Sequence, residues 1–188
     1  MPSQQLNPNF IILNGFAGSG KSSLGKKYIE EHPLGLLIEG DQIIVNMGDW
    51  LEHEAEARQN VFELTKSMAS TILSRGYDVV VPYLVVDNSH ISAFEQIATE
   101  HSARFFNFLL FNDQEEAVAR LMERGTWGEA GLDPLSEKDL PEINELYSQM
   151  EAALEHQPGI IKIDQSGKTI DDSYAEILEH ISRSSTNL

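Results

Sequence analysis

Near the amino end, Gly15, Phe16, Ala17, Gly18, Ser19, Gly20, Lys21 and Ser22 satisfy the pattern G-x-x-x-x-G-K-[ST], and Ser23 follows directly. The chemistry of such a segment is the cradling of a phosphate chain. Glycines let the backbone take positive φ and approach phosphate oxygens closely. Amides of the loop and of a following helix then point at the anion, aided by the helix dipole. Lys21 is placed to reach β- and γ-phosphates, and the Ser22 hydroxyl to bind Mg²⁺. The implied ligand is a nucleoside triphosphate with Mg²⁺.

Two further features carry charge where phosphoryl transfer needs it. Asp41 ends Ile38-Glu39-Gly40-Asp41, just after an apolar run. A carboxylate there can take an acceptor proton or hold a metal-bound water, so it is both a catalytic and a metal candidate. Its bland alternative is an N-cap for the next helix; Glu39 could share the role. Arg120 and Arg124 are spaced four apart, which puts both guanidinium groups on one helix face. Fixed positive charge thus converges on one face of a chain short of basic residues. The alternative is a solvated face, with Arg124 complementing the helix end. Gly125, Gly128, Gly131 and Pro134, with Trp127 among them, make residues 125–139 read as a mobile loop.

Those residues must be held by regular elements, and the apolar runs supply them. Strands are expected at 10–13, 34–38, 77–81, 105–111 and 160–163. Helices are expected at 22–31, 41–75 with a break around 47–50, 89–101, from Asn112 or Asp113 to about Arg124, 141–156 and 171–182. Alternating strands and helices give an α/β fold with a parallel sheet covered on both faces. Ligands of such folds gather at the carboxyl ends of the strands. The phosphate loop follows the first strand and opens the first helix, where its mechanism requires it. No linker or repeat divides the chain, so 1–188 reads as one domain.

Bulk composition narrows the partners. Thirty acidic residues against thirteen basic ones leave a net charge of −17, which repels nucleic acid and anionic lipid. No apolar run approaches a membrane span, and residues 1–9 have no signal-peptide pattern. The absence of cysteine excludes a disulfide framework and fits a reducing, cytoplasmic location. A small-molecule partner is expected, with no nucleic acid and no membrane, for a monomer or homodimer.

With the loop, its Ile12-Leu13-Asn14-Gly15 lead-in, Asp41, the Arg120/Arg124 pair and its overall size, the chain resembles the small P-loop kinases. These include shikimate, gluconate, adenylylsulfate and nucleotide kinases and chloramphenicol phosphotransferase; the chain looks like an AAA-type kinase of unknown acceptor. The resemblance implies a three-layer P-loop NTPase fold with a five-stranded parallel sheet and a lid at about 125–139. It sets Asp41 near the acceptor hydroxyl and the metal, the arginines at the lid, and residues 161–168 against the adenine. No Asn-Lys-x-Asp follows a strand, which argues against guanine. The third strand lacks a terminal aspartate, which argues against motor ATPases, and Asp41 can stand in for it.

The expected activity is transfer of the γ-phosphate of ATP to a small-molecule hydroxyl. Acceptor-side candidates are His53, Arg58, Tyr83, Asp87 and Asn88, with Trp50 and Trp127 available for stacking. Cations there are few, Arg58 and Arg75, which favours a sugar, antibiotic or nucleoside over an anionic acceptor. Alternatives are a nucleotide-sensing module without transfer, or a toxin-type nucleotide-sugar kinase.

Overall fold

The computed structural model describes residues 7–128, 132–155 and 157–184. Of the features expected above, residues 129–131 of the lid, His156 at a helix end and residues 1–6 at the amino end lie outside the described residues. Five strands form one sheet: β1 (Asn9–Gly15), β2 (Leu36–Leu37), β3 (Val79–Pro82), β4 (Arg104–Phe111) and β5 (Ile160–Asp164). Their order is β2-β3-β1-β4-β5, and every pairing is parallel. β1 therefore lies at the centre, and the loop that leaves it opens at the carboxyl edge of the sheet.

The helices are α1 (Lys21–Glu31), α2 (Gly40–Ile44), α3 (Glu54–Leu73), α4 (Asn88–Glu100), α5 (Gln114–Arg124), α6 (Leu140–Glu155) and α7 (Ile170–Arg183). Strand alternation sorts the core into layers. Ile11, Leu13, Val80, Phe108 and Ile163 face Leu24 and Tyr28 of α1 and Tyr174 and Ile177 of α7. Phe10, Ile12, Val79 and Val81 face Ala69 and Leu73 of α3 and Ile91 and Phe94 of α4. Leu109 continues that second face toward Leu121 of α5 and Ile143 and Tyr147 of α6. The architecture is three layers, helix on sheet on helix.

Two expectations change. β2 spans only Leu36–Leu37 instead of 34–38, because it is an edge strand paired with β3 alone and Leu34 sits at φ 67, outside a strand conformation. Asp41 does not N-cap a helix: Glu39 holds that position, and Asp41 falls in the first turn of α2.

A buried polar cluster ties the end of β1 to its neighbours. Asn14, fully buried, accepts from the amides of Gly15 (3.0 Å) and Val85 (3.0 Å) and donates to the Val85 carbonyl (2.8 Å). Gln157 also donates to the Val85 carbonyl (3.1 Å), and Asn107 donates to Gln157 (2.8 Å). The phosphate loop and the segment after β3 are thus fixed to each other through one side chain.

Candidate active site

The loop after β1 is a run of backbone turned inward. Gly15, Gly18 and Gly20 have φ of 143, 81 and 82, conformations that residues with a Cβ rarely adopt. At Gly15 the space is also closed: a Cβ would stand 2.7 Å from the Leu110 carbonyl oxygen and 2.9 Å from Ser19 Oγ. Gly20 occupies the N-cap position of α1 with no side chain capping the helix, so the first-turn amides have no side-chain acceptor. Ser19 is buried, and its Oγ has no partner. These are the features of a concavity shaped for an anion.

That concavity is one wall of a cavity of about 480 Å³. Phe16, Ala17, Gly18, Gly20, Lys21, Ser22 and Ser23 line it from the loop and α1. Asp41 of α2 and Arg58 of α3 line it as well, as do Pro82, Tyr83 and Leu84 at the end of β3, Arg124 at the end of α5, Trp127 after it, and Leu146 of α6. Residues from six separate sequence regions, including Lys21, Ser22, Asp41 and Arg124, therefore share one space.

Lys21 Nζ donates to the carbonyls of Gly15 (2.8 Å) and Phe16 (2.7 Å). Burial lowers its pKa to about 8; the Asp41 charge opposes that shift and the Arg124 charge adds to it. Asp41 and Arg124 thus both act electrostatically on the loop lysine. Gly15 and Ser19 stand behind the cavity wall and support it.

The paired arginines part company. Arg124 Nε donates to the Thr126 carbonyl (2.7 Å), and its Nη2 donates to the Trp127 carbonyl. Arg120 is not among the lining residues; its Nη2 pairs with Glu116 Oε1 one turn earlier (2.5 Å). Gly125 ends α5 at φ 70 and accepts from the Leu135 amide (2.9 Å), so the described ends of 125–139 return to a common base. Trp127 packs edge-on to Phe16, ring centroids 6.4 Å apart.

Of the acceptor-side candidates, Arg58 and Tyr83 line the cavity, joined by a 3.4 Å hydrogen bond from Arg58 Nη1 to the Tyr83 hydroxyl. His53 is exposed beside Glu56, Asp87 caps α4 by accepting from the Ser89 amide (2.7 Å), and Asn88 is exposed. Trp50 is buried with Ile44, Ala57 and Val61, and Arg75 is exposed after α3. The segment 161–168 runs from β5 into a turn in which Asp164 accepts from the Ser166 amide (2.9 Å). It leads to Ile170, whose Cδ1 lies 3.0 Å from where a Gly20 Cβ would be.

Sequence reasoning missed a second space of about 220 Å³, also lined by Arg58 and Tyr83 and extending between α3, β3 and α4. Leu84 and Leu146, exposed at the main cavity, escaped as well: Leu84 is signalled by an apolar residue just past the expected third strand, while Leu146, inside the expected helix 141–156, has no such signal.

The parallel order β2-β3-β1-β4-β5, with a glycine-rich loop running from the central strand into a helix, defines an α/β protein with a P-loop kinase-like fold. Residues 10–142 match the family described as AAA domain, and the chain belongs to that family. Among solved structures it is similar to a gluconokinase from Sinorhizobium meliloti, at 18% identity and TM-score 0.64 over 96% of this chain and 95% of that one. It is also similar to the Deinococcus radiodurans tunicamycin resistance protein, at 15% identity and TM-score 0.62 over 93% and 95%. The Mycobacterium tuberculosis APS kinase in complex with AMPPNP and APS is similar at 15% identity and TM-score 0.58, over 94% and 98%. At these identities the likeness is one of fold, and it agrees with the resemblance to small P-loop kinases carried by the motifs. A search of curated protein sequences gives no match. No helix among the described residues is long and apolar enough to cross a membrane.

Proposed function

We propose that the protein transfers the γ-phosphate of ATP to a hydroxyl of a small, uncharged acceptor, with 1–188 acting as one domain and 125–139 as its lid. The observation that carries this is the single cavity lined by the loop, Lys21, Ser22, Asp41 and Arg124 together. The residues fit a triphosphate: Gly18 and Gly20 at positive φ and an α1 start without a side-chain cap suit anionic oxygens.

Ser22 and Asp41 are the protein oxygens that would hold Mg²⁺. Among the described residues no three His, Cys, Asp or Glu side chains gather to hold a metal ion unaided, which suits an ion shared with phosphate oxygens. When bound, the ion neutralises charge on the phosphates. Lys21 supplies positive charge to the β- and γ-phosphates, and its bonds to the Gly15 and Phe16 carbonyls hold its ammonium at the loop. Asp41 orients the acceptor hydroxyl and takes its proton as the oxygen attacks the γ-phosphorus, while the bond from that phosphorus to the β–γ bridging oxygen breaks and ADP leaves. Arg124 answers the charge that spreads over the phosphoryl oxygens. Arg120 can join it only by leaving Glu116. Cations on the acceptor side are scarce, which supports a neutral sugar, antibiotic or nucleoside.

The test is ATP turnover by wild type, Asp41→Asn and Lys21→Ala against a broad panel of hydroxyl acceptors. Acceptor-dependent turnover lost in both variants is expected. ATP binding without turnover across the whole panel would instead identify a nucleotide sensor.

A further inference from the structure

We propose that the acceptor carries an uncharged apolar ring close to its reacting hydroxyl, and that this ring occupies the side cavity between α3, β3 and α4. The inference rests on the kinase reading and names the class of acceptor.

The side cavity measures about 220 Å³. An apolar cavity of about 150 Å³ holds benzene, so there is room here for one ring with a substituent. Its walls are chiefly Val61, Phe62, Val81, Val85 and Phe94. Two of the polar side chains among them already bond within the protein. Thr65 Oγ1 donates to the Val61 carbonyl (2.8 Å), and Gln59 Nε2 turns outward to Glu63 (3.3 Å). The His90 ring stacks on Phe62 with centroids 3.8 Å apart. Among the described residues Arg58 is the one permanently charged side chain lining the space, and it pairs with Glu54 at 2.8 Å. A ring bearing several hydroxyls would exchange water for walls with few groups left to bond it, whereas an apolar ring gives up nothing polar.

Position joins this cavity to the reaction. Gly40 lines the side cavity, and Asp41, the next residue, lines the main one. Arg58 and Tyr83 line both. A hydroxyl held at Asp41 therefore belongs to a molecule whose next few atoms stand at the mouth of the side cavity. The approach is apolar as well, through Pro82 and Leu84.

The experiment compares kcat/KM for benzyl alcohol and phenylethylene glycol with kcat/KM for glycerol and gluconate, in wild type and Ala55→Trp. Ala55 is exposed at the rim of the side cavity, so a bulky residue there obstructs it without entering the core. The expected result is a preference of tenfold or more, on the order of what burying one ring contributes, for the ring-bearing alcohols. Ala55→Trp should cancel that preference while leaving the KM for ATP unchanged. A deeper variant, Thr65→Met, should act in the same direction. Equal use of glycerol or gluconate, or indifference to Ala55→Trp, overturns the proposal while leaving the kinase reading intact. If neither set is phosphorylated, NMR signals of Thr65 and Phe94 decide. Shifts induced by phenylethylene glycol would uphold the ring site and silence would overturn it, while the kinase reading stands or falls on the broad acceptor panel.

Discussion

Replacing Asn14 with alanine isolates the contribution of the buried polar cluster beneath the phosphate loop. Asn14 is fully buried, and the substitution removes the acceptor of two buried amides, those of Gly15 and Val85. The Val85 carbonyl keeps its bond from Gln157, and Gln157 keeps its bond from Asn107, so those groups are not orphaned. Two unpaired buried amides at about 1–3 kcal/mol each predict a loss of about 4 kcal/mol. That is a large part of the roughly 5–15 kcal/mol available to a typical domain, and for this size it corresponds to a fall in Tm of roughly 10 °C. Urea denaturation with an unchanged m-value is the assay. Asn107→Ala, which removes a single 2.8 Å bond and leaves no backbone amide bare, should cost about 1 kcal/mol beyond its lost volume. A loss below about 1 kcal/mol for Asn14→Ala would refute the reasoning, because the loop and the segment after β3 would then be held by something else.

Gly15→Ala should destabilise by at least about 3 kcal/mol, since φ 143 strains any Cβ and this one would meet the Leu110 carbonyl oxygen at 2.7 Å; thermal unfolding reads it directly. Arg124→Ala should lower kcat by about a hundredfold and Arg120→Ala by much less, because only Arg124 lines the cavity. Equal losses would mean that Arg120 leaves Glu116 when the donor binds. Asp172 is held below the ordinary carboxylate range by the Thr169 hydroxyl and then by the Thr169 backbone amide, and Asp87 likewise by the Ser89 hydroxyl and amide. A depressed carboxylate adds stability that is complete above its unfolded pKa and is lost as pH falls through the folded one. The stability gap between wild type and Asp172→Asn should therefore be present at about pH 7 and gone near pH 2, as measured by denaturation at each pH.

The alternation of strands and helices was legible because short apolar runs bounded by Gly, Pro, Asn and Asp leave few other readings. The phosphate loop was legible because its chemistry is local, confined to eight consecutive residues. What escaped depends on assembly. The length of β2 follows from its place at the edge of the sheet, which no local pattern states. The separation of Arg120 from Arg124 follows from Glu116 lying on the same helix face as both, a competitor visible in the sequence but unweighted there. The side cavity draws Gly40, Thr65, Val81, Val85 and Phe94 from five chain segments, so no spacing announces it. Asn14 had a signal, since an asparagine closing an apolar strand must find partners if buried.

In the proposed function the loop and Asp41 are the two halves of one phosphotransfer site. The most direct measurement follows the labelled γ-phosphate of ATP into a hydroxyl acceptor with wild type and Asp41→Asn, alongside nucleotide affinity for both. The account predicts that Asp41→Asn still binds nucleotide while transfer falls by about 10²–10⁴-fold. Transfer at the wild-type rate by Asp41→Asn would contradict it.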